Sequence, residues 1–250
     1  MPFTGSHPAA VLPFVRRLPA SALVFGSMAP DFPYYVPLPV SGPTTHSWLG
    51  VVTVDVVLAA AAWALWRFLV GPAVLALVPA LGRRLPRLPD EGPPVLVVVA
   101  FVVGNATHVA WDSFTHGGMW GPQHLPALRA TYGPVPGYAW AQYASSLVGG
   151  AVLLWWCWRW WRRQPVVAVP PPRHPWPVPA AWTVVVVATL VGTAWGFAGG
   201  GPLHVRVFEA ATRGGAAGAA TVVLVSVAWR ARRAMATLLG GPPGPGPRRT

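Results

Sequence analysis

Lysine is absent from this chain, cysteine occurs once, and aspartate and glutamate together number six in 250 residues. The single Cys157, inside "WWCWRWW", excludes both a disulfide framework and a cysteine-rich zinc site. Charged residues make up 10% of the chain and hydrophobic residues 54%, whereas a soluble domain carries about 25% charged residues. That balance excludes an ordinary soluble fold. The net charge of +12 is carried by arginine alone, and the arginines sit in short clusters beside apolar runs, where the positive-inside rule expects them. Nucleic-acid binding is therefore not expected, since the chain has neither an aromatic-rich RNA motif nor a basic recognition helix.

What the chain does contain is long apolar runs. Five stretches read as membrane helices, at 49–67, 94–112, 141–159, 179–198 and 214–230, because roughly 17 to 25 apolar residues cross the hydrocarbon. The expected fold class is all-α, a polytopic membrane helix bundle of about five spans. Residues 9–28 are interrupted by prolines and by Arg16 and Arg17, so an interfacial or re-entrant helical hairpin is expected there, and it is expected to be retained as it lacks the order of a cleaved signal. The run "GPAVLALVPAL" at 71–81 is too short to span and is expected at the interface. The expected organisation is a membrane domain over 1–163, a proline-rich connector over 164–178, a helix pair over 179–236 and a disordered tail over 237–250.

Arginine placement orients the bundle. Arg67, Arg83, Arg84 and Arg87 lie between the first two spans, Arg159, Arg162 and Arg163 follow the third, and Arg230, Arg232 and Arg233 follow the fifth. Those ends are predicted to be cytoplasmic. Loop 113–140 holds only Arg129 and is predicted to be outside, with the tryptophans from 155 to 161 as an interfacial belt at the opposite end of the third span.

Against this apolar background, "GNATHVAWDSFTHGG" places His108, Asp112 and His116 four residues apart. Each step of four turns a helix by about 400°, so the three side chains drift by only about 40° per step and share one face. His108 falls about 22 Å along a helix that starts at Pro93 and Pro94, near the outer leaflet, and His46 in "THSWLG" reaches the same depth just before the first span. Histidine nitrogen and carboxylate oxygen are the usual ligands of zinc and similar ions. On a straight helix His108 and His116 stand about 12 Å apart. One metal can take both only if the helix stops near Ser113, as Gly117 and Gly118 suggest; otherwise two metals are required. His7 and Asp31, the latter held between Pro30 and Pro33, are further candidate ligands.

The competing reading is a hydrogen-bond network tying helices together, but ionisable residues inside a membrane are costly and usually functional. Asp55 turns about 180° from His46 on a continuous helix, so it is read equally as a ligand or as a partner for Asn105 or an arginine. Glu209 and Arg213 are spaced for an i, i+4 ion pair, and Arg213 and Arg129 are also candidates for holding an anionic substrate group. His124, His174 and His204 read as solvated loop residues.

The stretches "MPFTGSHPAAVLP", "ALVFGSMAPDFPYY", "THSWLG" and "HVAWDSFTHGG" resemble, in order and spacing, the bacterial membrane family known as domain of unknown function family 4184, over residues 1–160 most closely. The same motifs are similar to YdjM-like inner-membrane proteins, and that resemblance implies a membrane-bound metal-dependent hydrolase. It implies His7, Asp31, His46, His108 and Asp112 as ligands of a divalent metal, zinc first, with His116 as a ligand or proton carrier. The resembled pattern often has a histidine after the glutamine near "AQYASS"; here Tyr143 stands there, which weakens the case for Gln142 as part of the shell. The expected chemistry is hydrolysis at the extracytoplasmic face of the cell membrane, on a lipid or phosphoester substrate, with Asp31, Asp112 and His116 as catalytic candidates. The alternatives from another class are a metal or proton conduit, and a metal-stabilised scaffold without turnover.

Overall fold

A computed structural model describes residues 4–168 and 177–238. His174, most of the proline-rich connector and residues 239–250 of the expected tail lie outside the described residues. The fold is all-α apart from a two-residue ladder, Thr131–Tyr132 against Val135–Pro136, closed by Gly133 at φ 66°.

Seven helices organise the chain. They are α1 (Ala20–Met28), α2 (Trp48–Val52), α3 (Val54–Leu77), α4 (Pro94–Thr115), α5 (Gly137–Arg163), α6 (Val178–Phe197) and α7 (Leu203–Leu238). Four of them, α3, α4, α6 and α7, are long and apolar enough to cross a membrane, which makes this a multi-pass membrane protein. The fifth expected span, 141–159, lies within α5, whose 27 residues reach far enough but whose dense tryptophans and arginines lower its apolarity below that of the other four. The run at 71–81 differs from expectation. Residues 71–77 continue α3 through a π-helical segment, Trp66–Val70, and only Pro79–Gly82 forms a separate turn. Pro72 lies inside this continued helix and offers it no N–H.

The chain divides into two compact units, residues 1–63 with 89–163, and residues 64–88 with 164–250. In the first, α1 is nine residues long, about 14 Å, too short to span. It packs against α4 through two glycines: a Cβ on Gly26 would lie 2.6 Å from the Phe101 carbonyl oxygen, and one on Gly104 would lie 2.6 Å from Leu23 O and Ser27 N. Small residues let the backbones approach this closely, the usual device where helices meet inside a membrane. The apolar core around this crossing is Val11, Ala22, Leu23, Ala59, Val97, Ala100 and Phe101. The short helical turns at Pro8–Val11 and Leu12–Phe14, followed by α1, bring His7 and Asp31 to the same place.

The second unit is built on the α6 and α7 pair. A Cβ on Gly192 would meet Arg213 O at 2.7 Å, one on Gly196 would meet Ala210 N at 2.6 Å, and one on Gly218 would meet Thr189 Oγ1 at 2.5 Å. Trp182 donates from Nε1 to Leu77 O (2.9 Å) and Arg230 donates from Nη1 to Phe68 O (2.6 Å) in the π-helical segment.

Candidate metal centre

Three segments of the first unit converge on one buried point. Asp31 ends a 3-10 turn, Ala29–Asp31, that follows α1 directly. His46 closes the turn Gly42–Thr45. His108 and Asp112 come from α4, one turn apart. Asp31, His108 and Asp112 are wholly buried, and one donor atom from each of the four residues lies within 4.8 Å of all the others.

The distances are regular. His46 Nε2 lies 3.5 Å from Asp31 Oδ1 and 3.3 Å from Asp112 Oδ2; His108 Nε2 lies 3.5 Å and 3.4 Å from the same two oxygens. The two Nε2 atoms are 3.3 Å apart. A tetrahedral ion bound at about 2.0 to 2.2 Å has ligands about 3.3 to 3.6 Å from one another, so all five separations match the edges of such a site. Asp31 Oδ1 and Asp112 Oδ2 are moreover buried without a hydrogen-bond partner among the described residues, as is His7 Nε2. Orphaned buried acceptors are rare and costly. The residues present therefore fit a divalent cation.

The surroundings fix each donor. His108 Nδ1 lies 2.7 Å from Ser27 O and His46 Nδ1 lies 3.0 Å from Gly42 O. When these Nδ1–H groups donate to the carbonyls, a neutral ring is left with its Nε2 lone pair facing the cluster. Thr45 Oγ1 donates to Pro30 O (2.7 Å), tying the His46 turn to the Asp31 turn. Thr4 Oγ1 donates to Asp31 Oδ2 (2.5 Å) while accepting from Tyr35 OH (3.0 Å), which leaves Oδ1 as the inward oxygen. Thr4, Tyr35, Thr45 and the Ser27 carbonyl were not anticipated. Thr4 and Tyr35 do lie within the quoted motifs, three residues before His7 and four after Asp31, but nothing in their spacing marked a role.

His7 and His116 flank the cluster. The His7 ring stacks on His108, with centroids 3.8 Å apart and an 18° tilt, and its Nε2 is 3.6 Å from Asp112 Oδ1. Helix α4 ends at Thr115, and His116 turns out of it with extended backbone angles, φ −124° and ψ 133°. Its Nδ1 then folds back to 3.2 Å from Asp112 O and 3.6 Å from Asp112 Oδ2. Of the two arrangements open in the sequence, the early helix stop is the one found.

Electrostatics divide the histidines into two kinds. Burial lowers the His7 pKa to about 3, and the nearby His108 adds to the shift, so His7 is neutral. Burial also lowers that of His116. For His46 burial is again the largest single effect and works against the charge, but the neighbouring Asp112 and Asp31 carboxylates together outweigh it and raise the pKa to about 9. Asp31 is held well below the usual carboxylate range; burial opposes this most strongly, but the charge of His108 and the close approach of the His108 and His46 rings overcome it.

The remaining candidates fall elsewhere. Arg129 is exposed at the end of the turn Pro126–Arg129 and takes no part in the cluster. Arg213 belongs to the second unit, where Nη2 is 2.7 Å from Glu209 Oε2 and the guanidinium lies 4.6 Å from the Trp195 ring centroid. Of its two readings the structure shows the ion pair. Asp55 is wholly buried, and neither carboxylate oxygen has a hydrogen-bond partner among the described residues. The expected partner Asn105 donates instead to Val51 O (3.0 Å). The estimate that Asp55 faces away from His46 assumed one continuous helix, which the break at Thr53 (φ −124°, ψ −95°) removes. His124 is exposed and stacks on Trp120, and His204 is exposed.

No curated protein and no solved structure matches this chain. A family model described as "Domain of unknown function (DUF4184)" matches residues 1–232.

Proposed function

This chain belongs to the DUF4184 family, and from that premise we propose that it is a membrane-bound metal-dependent hydrolase. The observation that supports this most directly is the near-tetrahedral set of Asp31 Oδ1, His46 Nε2, His108 Nε2 and Asp112 Oδ2, with separations of 3.3 to 3.5 Å between donors. Two nitrogens and two oxygens suit zinc and its first-row neighbours, and zinc is the ion we assign. Such an ion supplies Lewis acidity toward a phosphoryl or acyl oxygen and lowers the pKa of water.

The chain's own residues supply the rest. His116, with a quarter of its side chain exposed, holds Nδ1 against the Asp112 carbonyl and leaves Nε2 as its proton-accepting atom. Burial keeps it neutral and able to take a proton. His7, neutral and stacked on His108, covers one side of the cluster. Asp31 and Asp112, assigned catalytic roles on sequence grounds alone, act here as ligands, so the base role passes to His116. The site lies on the extracytoplasmic side in this reading, because the arginine clusters flank the opposite helix ends. Its substrate is an ester of a phosphoryl or acyl group, lipid-borne or soluble.

The test is elemental analysis of the detergent-purified protein beside His108→Gln and Asp112→Asn. Stoichiometric transition metal in the wild type, lost in both variants at unchanged helicity, supports the reading and directs a screen of phospho- and carboxylic-ester hydrolysis. An empty wild type after metal loading removes it.

One observation favours a second reading. Asp55 and Asn105 are buried with unpartnered oxygens, and Asn105 lies about 4.5 Å deeper along α4 than His108. Polar groups at two depths are what a metal or proton conduit requires. Ion flux in proteoliposomes that is lost in Asp55→Asn, with no ester hydrolysed, would establish the conduit in place of the hydrolase.

A further inference from the structure

Beside the cluster the first unit holds a cavity of about 240 Å³ between the turn Pro8–Val11, α4 and α5. His7 joins the two: it lines the cavity and flanks the cluster, with Nε2 3.6 Å from Asp112 Oδ1. The rest of the wall includes Ser145, Val148 and Val152 of α5 together with Ala10 and Trp111. The seven steps from Ser145 to Val152 cover about 10 Å. The groove exists because small residues sit at its floor; a Cβ on Gly149 would already lie 3.0 Å from Ser6 Cβ.

We propose that this groove holds one hydrocarbon chain of the substrate, so that the substrate is a chain-bearing amphiphile that presents its polar ester to the Asp31, His46, His108 and Asp112 cluster. The inference rests on the hydrolase reading and deepens it. No charged side chain lines the groove, so a soluble phosphoester such as a nucleotide finds nothing there to hold its charge. The hydroxyl of Ser145 is already spent on Gln142 O (3.0 Å), which makes that wall effectively apolar. Trp111, Val148 and Val152 are 47%, 62% and 38% exposed, so the groove is open along its side. Because α4 crosses the membrane, that opening faces lipid, and a chain enters laterally without passing through water. The volume falls below the roughly 300 to 1,000 Å³ of pockets for drug-sized ligands, which fits a single narrow chain better than a bulky ring system.

The direction also agrees. α5 begins after the loop that carries His116 and ends at the arginine cluster Arg159, Arg162 and Arg163. Passing from Ser145 to Val152 therefore leads from the site's end of the helix toward its other end. An amphiphile whose polar group is at the cluster points its chain along the same path.

The experiment uses a phospholipid whose acyl chain carries a diazirine, reconstituted with the full-length protein, with crosslinks mapped by mass spectrometry. Labelling should concentrate on Ala10, Trp111 and Val148 to Val152, several-fold above exposed lipid-facing positions such as Val187 and Leu190. Val152→Trp, which fills the groove, should bring labelling down to that background, and Trp111→Ala, which widens it, should retain or increase it. Chain-length preference among ester substrates should shift by about tenfold against long chains in Val152→Trp. Uniform labelling of groove and background positions overturns the proposal, as does labelling in Val152→Trp equal to the wild type in a protein of unchanged helicity. Metal content is read on the same samples. Metal without groove labelling removes the chain site alone, and groove labelling without metal removes the hydrolase while leaving a lipid site.

Discussion

The two compact units use the same packing device for different ends. In the first, Gly26 and Gly104 let α1 and α4 touch backbone to backbone; in the second, Gly192 and Gly196 do the same for α6 and α7, and Gly218 makes room for the Thr189 side chain. Yet the first unit buries His7, Asp31, Asp55, Asn105, His108 and Asp112, whereas the buried polar side chains of the second, among the described residues, are Thr212 and Ser226. Both of these bond back to their own helix: Thr212 Oγ1 donates to Phe208 O and Ser226 Oγ to Val222 O. Its ion pair, Glu209 with Arg213, is about one-third exposed. Close helix packing in a membrane thus needs only small residues, and buried ionisable groups are an added cost that, among the described residues, the first unit carries and the second does not.

Substitutions at the cluster test that contrast most severely. Asp112→Ala removes a donor and leaves His46 and His108 facing an empty position. Uncompensated groups in a buried ionic network cost about 3 to 5 kcal/mol, so metal should be lost entirely and the thermal midpoint should fall, both measured on the same detergent sample.

Glycine substitutions separate the units next. Gly104→Ala and Gly196→Ala each push a Cβ into backbone, at a cost of about 1 to 3 kcal/mol for overpacking. Gly104→Ala should also lower metal content, since the Cβ displaces Ser27, whose carbonyl orients His108. Gly196→Ala should lower the melting temperature with metal content unchanged. Equal loss of metal in both would erase the distinction between site and scaffold.

Outer contacts should matter less. Thr4→Val and Thr45→Val remove the hydroxyls that hold Asp31 and its turn, and loss of such support weakens metal binding by about 10- to 100-fold; competition with a chelator measures it. Affinity should also depend on pH. The metal-free His46 has its pKa raised to about 9, so below that value an incoming ion must displace its proton. Binding should weaken by about tenfold per unit as pH falls from 9 toward neutrality for that proton, and calorimetry in buffers of different ionisation enthalpy should show proton release. The smallest effect belongs to Glu209→Gln. That partly exposed pair is screened by solvent and contributes at most about 1 kcal/mol, and its loss should leave metal content untouched.

Much of this was legible in the residue order, for local reasons. Apolar runs long enough to span mark helices, and α4 was placed within a few residues because Pro93 and Pro94 start it and the apolar pattern continues to Asp112. The register of His108 with Asp112 follows from helical periodicity alone. The prolines and arginines of residues 9–28 already argued against a span, and so for His7 and Asp31 on one side. What was misjudged depended on helix continuity. α3 was expected to stop before residue 71 and instead runs to Leu77 through a π-helical segment. The break at Thr53 removed the basis for turning Asp55 away from His46.

The sequence by itself determined a multi-pass all-α membrane protein and the residue types for a metal, because apolar length, arginine flanks and i, i+4 spacing are properties of neighbours along the chain. Only the tertiary structure decided which residues form the tetrad. It turned His116 back toward Asp112, gave Arg213 to Glu209, and recruited Thr4, Tyr35, Thr45 and the Ser27 carbonyl as supports. These contacts join segments as much as 81 residues apart, and their geometry depends on how closely two backbones approach at Gly26 and Gly104, a distance no local pattern encodes.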